Sequence, residues 1–210
     1  MRTVIQVVLF IAAVVLAYFI YDSIQRPIDF DKERTARYSV TIEKLKDIRK
    51  AQLAFREVNG RFTGDWDTLI NFVKYDSLRI VRRIGNLTDS MVEKGITERR
   101  AMQMGLIIRD TVRQSVLTTI FDPNYNVDAL KIVPVPDTIA YFTLGATVIT
   151  TGSGINVPVF EARAHNNVVL RNLDRQLVIN LNDQRRAQER YPGLKVGSLT
   201  ETNNNAGNWE

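Results

Sequence analysis

The chain has 210 residues, with 28 Lys and Arg against 23 Asp and Glu for a formal net charge of +5; 45% of the residues are hydrophobic and 24% charged. This ordinary globular balance excludes a fully disordered chain, a collagen-like chain and a polytopic membrane protein. The lack of cysteine excludes a disulfide scaffold, a zinc ribbon, a thiol nucleophile and an iron–sulfur site, and the single histidine excludes a multi-histidine metal site.

The first element is apolar. Val4 to Tyr21 reads VIQVVLFIAAVVLAYFIY, with Gln6 as its one strongly polar residue and no charge between Arg2 and Asp22. Eighteen helical residues rise about 27 Å, close to the roughly 30 Å hydrocarbon core of a bilayer. Tyr18, Phe19 and Tyr21 stand at the far edge, where aromatic rings favour the headgroup boundary. A single-pass anchor is predicted over residues 1–30. A cleaved signal peptide fits less well, because the run is long and no small-x-small cleavage site follows. The basic residues Arg26, Lys32, Arg34 and Arg37 just after the run lean toward a cytoplasmic C-terminal domain, but Asp22, Asp29, Asp31 and Glu33 dilute them. Cysteine-free composition suits a cell-envelope location.

Pro27 is expected to kink or briefly interrupt the helix. Beyond it, Tyr38, Ile42, Leu45, Ile48, Gln52, Phe55 and Val58 recur at steps of three and four, which predicts an amphipathic helix over residues 31–59. Asn59-Gly60 is its stop. Together the two halves make a rod of roughly 55 residues, about 80 Å if continuous. The apolar stripe reads as packing on a head domain over its second half and as a surface for partner helices nearer the membrane. Thr63 or Asp65 then caps a short helix that buries Trp66, Leu69, Ile70 and Phe72 or Val73.

The remainder turns β-like. Leu78–Ile84 and Val112–Phe121 read as strands, with a loop and a short helix near Thr97–Met104 between them. Ile139–Thr150 and Val157–Ala164 read as strands joined by a Thr151-Gly152-Ser153-Gly154 turn. Pro134, Pro136 and Pro158 argue for loops or edge strands. Leu177–Arg190 is ambiguous between strand and helix, Leu194–Leu199 is a last strand, and residues 201–210 are a polar tail expected to be poorly ordered except for Trp209. The predicted fold class is therefore α+β. A long N-terminal helix, half transmembrane and half amphipathic, packs on a small antiparallel β-sheet head, and the soluble part covers residues 31–200.

Three pieces of the first third of the chain resemble type IV pilins and type II secretion pseudopilins. Thr3-Val4-Ile5-Gln6 before an unbroken apolar run is similar to the start of mature pilins. Pro27 falls near their helix-bending proline. Lys44 to Val73 resembles the end of the pseudopilin helix and its exit loop. Met1 and Arg2 stand where the family has its cleavage-site glycine and the following phenylalanine, and Gln6 replaces a glutamate that pairs with a neighbour's N-terminal amine. Gln can hydrogen-bond but carries no charge. The resemblance implies a pilin-like structural subunit of an envelope assembly; the departures leave open a non-polymerising, membrane-tethered binding or assembly factor. The expected location is the bacterial inner membrane, single-pass, with the C-terminal domain in the periplasm. The expected partners are further copies, other envelope proteins and membrane lipid. Gln6, Ala13, Ala17, Ile42 and Leu45 are the candidate interaction residues, since small residues and hydrogen-bonding side chains drive helix association in lipid.

No catalytic constellation stands out, and no enzyme activity, small-molecule substrate or nucleic-acid partner is expected. His165 in Glu161-Ala162-Arg163-Ala164-His165 reads as a lone surface or hydrogen-bonded histidine, with Glu161 and Arg163 on a solvated face. The arginines at 79, 82, 83, 99, 100, 171, 175, 185, 186 and 190 are interleaved with acids and read as solvated surface. No cofactor is expected. Asp122, Asn124, Asn126 and Asp128 offer oxygens at alternating positions, as in the first half of a calcium loop, but Val127 and Val133 stand where the turn glycine and closing glutamate belong. Turn capping through the backbone is the competing reading of the same residues.

Overall fold

The computed structural model describes residues 2–84, 95, 97–106 and 108–210. The chain is α+β, with one long N-terminal helix and small antiparallel sheets. It divides into two compact units, residues 1–49 with 131–210, and residues 50–130.

Helix α1 (Arg2–Asn59) is 58 residues long, about 87 Å at 1.5 Å per residue. It is not interrupted at Pro27, interruption being one of the two outcomes expected there. A proline removes one intrahelical donor, here the one that would reach the Ser23 carbonyl, and the hydrogen bonds on either side carry the helix through. The stop falls where expected. Gly60 takes φ +71°, a left-handed conformation cheap for glycine, and its N–H donates to the Arg56 carbonyl at 2.8 Å.

In the unit of residues 50–130, α2 (Trp66–Tyr75) starts on Asp65, whose carboxylate accepts the Thr68 N–H at 2.7 Å. The Thr68 hydroxyl also donates to this carboxylate, and that bond first, then the N–H bond, hold the Asp65 carboxyl below its ordinary value. Leu69, Ile70, Phe72 and Val73 are buried, while Trp66 is half-buried. The Phe55 and Phe72 rings meet edge to face at 5.1 Å. Gln52 sits on the apolar stripe for a specific reason: its Nε2 donates to the Thr63 carbonyl at 2.6 Å and its Oε1 accepts the Thr63 N–H at 3.2 Å. The exit loop is thereby tied to α1.

Strand β1 (Ser77–Ile84) pairs antiparallel with β2 (Ile108–Ser115), and α3 (Glu98–Gln103) starts on Thr97. The β pattern expected to reach Phe121 breaks at Ser115, and Val116–Ile120 form a helical turn, α4. Of the loop expected over Asn86–Asp110, residues 86–94, 96 and 107 lie outside the described residues.

The other unit carries two sheets rather than one. Strands β3 (Ile132–Val133) and β4 (Ala140–Tyr141) pair with each other, and β5 (Thr143–Thr150), β6 (Asn156–His165) and β7 (Gly193–Gly197) form a three-stranded sheet in that order. Pro158 lies in the central strand, yet β7 pairs only with Glu161–His165. At Pro158 the strand has one neighbour, so the missing N–H is tolerated as at an edge. Gly197 is required: its φ is +74° and an added Cβ would lie 2.1 Å from the Phe160 carbonyl oxygen. Residues 175–187, ambiguous in sequence, are helix α6 (Arg175–Ala187), capped by the Asp174 carboxylate on the N–H groups of Gln176 and Leu177. Short α5 (Asn166–Val169) precedes it.

The tail does not run free. Gly197 N–H donates to the Ala206 carbonyl and Asn208 N–H to the Lys195 carbonyl, both at 3.0 Å, so residues 206–208 lie along the outer edge of β7. Glu210 reaches Arg49 at 2.6 Å. That bond holds the Glu210 carboxyl below its ordinary value.

Candidate functional site

The most distinctive surface is the N-terminal part of α1. Its most apolar stretch lies within Ile5–Asn59, is long and apolar enough to cross a membrane, and is wholly unburied. Leu9, Phe10, Leu16 and Ile20 each expose more than 60% of their surface. The run is rich in Val and Ile, which are mediocre helix formers in water. In hydrocarbon the ranking changes, because a helix satisfies every backbone polar group within the segment.

Gln6, Ala13 and Ala17 are all exposed on this helix. At 3.6 residues per turn they fall within about 40° of one another around its axis. The face therefore offers one amide that can donate and accept, followed by two side chains small enough for close backbone approach. The other two candidate interaction residues differ. Ile42 is half-buried, and Leu45 has no exposed surface, so it offers nothing to a partner.

A buried polar chain joins α1 to two helices of its own unit. The Tyr38 hydroxyl donates to Asn166 Oδ1 at 2.5 Å, Asn166 Nδ2 to Asn182 Oδ1 at 2.9 Å, and Asn182 Nδ2 to Asn167 Oδ1 at 2.8 Å. Asn166 is 0% exposed and Asn182 2%. Burial pushes the Tyr38 hydroxyl above its ordinary value. Arg37 adds a bond to the Arg171 carbonyl. Sequence reasoning placed Tyr38 on the stripe but missed the asparagines, which bond to one another 15 and 16 residues apart and meet Tyr38 across 128 residues of chain.

The sole imidazole is a helix cap. His165 Nδ1 accepts the Asn167 N–H at 3.1 Å, and the ring stands edge-on to Tyr191 at 6.1 Å. Desolvation, with Arg186 adding repulsion, holds it below its ordinary pKa, which suits an acceptor nitrogen. Glu161 is not on a solvated face as expected. Its side chain is 10% exposed and lies 3.2 Å from Arg163 and 3.6 Å from Lys195. The Arg163 guanidinium also lies over the Tyr191 ring. The carboxylate is thus neutralised by two cations, one on a neighbouring strand, an arrangement that fixes strands and leaves no free base.

In the candidate calcium loop, two backbone carbonyls form turn bonds and one carboxylate is held by a lysine. The Asp122 carbonyl accepts from Tyr125 N–H at 2.9 Å, the Asn126 carbonyl from Ala129 N–H at 3.2 Å, and both Asp128 carboxylate oxygens accept from Lys74 Nζ at 2.7 and 2.8 Å. That bond raises the Lys74 ammonium above its ordinary value. Among the described residues no three His, Cys, Asp or Glu side chains converge on one point. Of the arginines read as solvated surface, 79, 99, 100, 171, 175, 186 and 190 are exposed and 185 is half-buried. The side chains of Arg82 and Arg83 lie outside the described residues.

Compared with known proteins, the chain matches no family model, no curated protein and no solved structure. The functional reading therefore stands on these surfaces.

Proposed function

We propose that this chain is a membrane-anchored structural subunit of a pilin-like or pseudopilus-like assembly, set in the bacterial inner membrane with its C-terminal part in the periplasm. The uncovered apolar stretch of α1, continuous with the helix that enters the folded units, is the observation that carries this reading. Left in water, a surface of that size and uniformity would drive aggregation. Embedded in lipid, it holds many copies in one plane and orientation. The Gln6, Ala13 and Ala17 face then supplies close packing and one interhelical hydrogen bond. The role is docking: it needs no catalytic group, cofactor or bound substrate.

Gln6 supports a second reading. A neutral amide lacks the charge with which a polymerising pilin would attract its neighbour's N-terminus, which favours a tethered assembly factor that stays monomeric or dimeric. Lysine-directed crosslinking of the full chain in native membranes separates the two. A ladder of multimers that shortens in Ala13→Leu and Ala17→Leu supports the subunit. Dimers alone support the assembly factor. A monomer band unaffected by either substitution contradicts the polymerising subunit and supports a monomeric assembly factor.

A further inference from the structure

The three-stranded sheet has two edges, and the chain treats them differently. The β7 edge is closed by residues 206–208 of the tail. The β5 edge is bare: among the described residues, no backbone group of Thr143–Thr150 bonds to anything on the side away from β6. Such an edge alternates outward N–H and C=O groups, a pattern that only another extended strand matches along its length.

Edges are normally blunted by a charge, a proline, a bulge or a very short strand. β5 has none of these. It is eight residues long, reads TLGATVIT without charge or proline, and pairs with β6 residue for residue. Thr147 and Val148 in its middle are exposed, Val148 at 58%, and Tyr141 and Ile155 expose apolar side chains at its two ends.

We propose that β5 pairs edge to edge with β5 of a second copy of this chain, middle against middle. An uncharged strand can meet its own copy without placing like charges opposite each other, and its Thr, Val and Ile side chains are of the kind that stabilise cross-strand pairs. The inference rests on the anchored-subunit reading in one respect. Membrane confinement raises the effective concentration of copies enough for a contact of this size to form.

The chain has no cysteine, so single cysteines report proximity cleanly. Thr147 sits near the middle of β5 and comes close to its own copy whichever direction the second strand runs. The test is oxidative crosslinking of the full chain in native membranes, with Thr147→Cys on the edge, Thr202→Cys in the exposed tail as background and Ala13→Cys in the anchor. The expected Thr147→Cys dimer yield is about fivefold above background, returning to background when Val148→Lys is added. Trp209 emission checks that the added lysine leaves the unit folded. Background yield at Thr147→Cys with strong Ala13→Cys crosslinking overturns edge pairing and leaves the subunit reading standing. A Thr147→Cys yield untouched by Val148→Lys also overturns it. Background yield at all three positions overturns both proposals. Slow β5 amide exchange without Thr147→Cys crosslinking assigns the edge to a strand of a different protein and contradicts the second-copy pairing.

Discussion

The Tyr38 hydroxyl donates to Asn166 Oδ1 across 128 residues of sequence, and Asn166 is fully buried. Removing only that donor leaves a buried carbonyl oxygen short of its partner. Tyr38→Phe is therefore expected to destabilise this unit by about 1–2 kcal/mol. Urea unfolding read by Trp209 in a Trp66→Phe background measures it, since each unit holds one of the two tryptophans. The 50–130 unit, read by Trp66, is expected to keep its midpoint.

Gln52 makes the reciprocal case in the 50–130 unit. Gln52→Leu keeps the bulk but strips both partners from the Thr63 backbone. A loss of about 2 kcal/mol is expected, read by Trp66 in a Trp209→Phe background.

These two side chains also show what a sequence can and cannot carry. The long apolar helix, the Asn59-Gly60 stop, the cap at Thr63 or Asp65 and the turn after β5 were legible because each is decided by residues within a few positions of one another. Gln52 was seen only as a member of a stripe, because its use depends on where the exit loop folds back. Val116–Ile120 have β-branched composition yet form a helical turn, so packing around buried Val116 outweighs a weak local preference. Glu161 looked solvated because Lys195, which neutralises it, arrives on another strand. Of the candidate interaction residues, the spacing of Gln6, Ala13 and Ala17 was readable, whereas the burial of Leu45 required the fold.

His165 makes stability depend on pH. Its folded pKa lies below the unfolded value near 6.5, so the folded state favours the neutral ring. The unfolded chain binds the proton more readily, and the contribution is complete above that value and lost as pH falls below it. Protonating Nδ1 also breaks the cap on Asn167. His165→Asn, which caps without titrating near neutrality, is expected to flatten the stability profile between pH 7 and 5, as read by Trp209. His165→Ala is expected to cost about 1 kcal/mol at pH 7.5.

Gly197 tests the close approach of β7 to β6. Gly197→Ala places a Cβ against the Phe160 carbonyl and a side chain at positive φ. A loss of at least about 2 kcal/mol is expected, with faster amide exchange at β6, β7 and residues 206–208.

The anchor itself is open to direct measurement. Single cysteines placed at Val8, Val14, Asp29 and Glu201 of the full chain, in membranes opened so that both faces are accessible, are exposed to a membrane-impermeant maleimide. Lipid is expected to shield Val8→Cys and Val14→Cys until detergent is added, while Asp29→Cys and Glu201→Cys label at once; labelling Glu201→Cys from outside intact spheroplasts then supports the periplasmic assignment. Val8→Cys and Val14→Cys labelling as fully as Glu201→Cys without detergent would contradict a membrane-embedded stem.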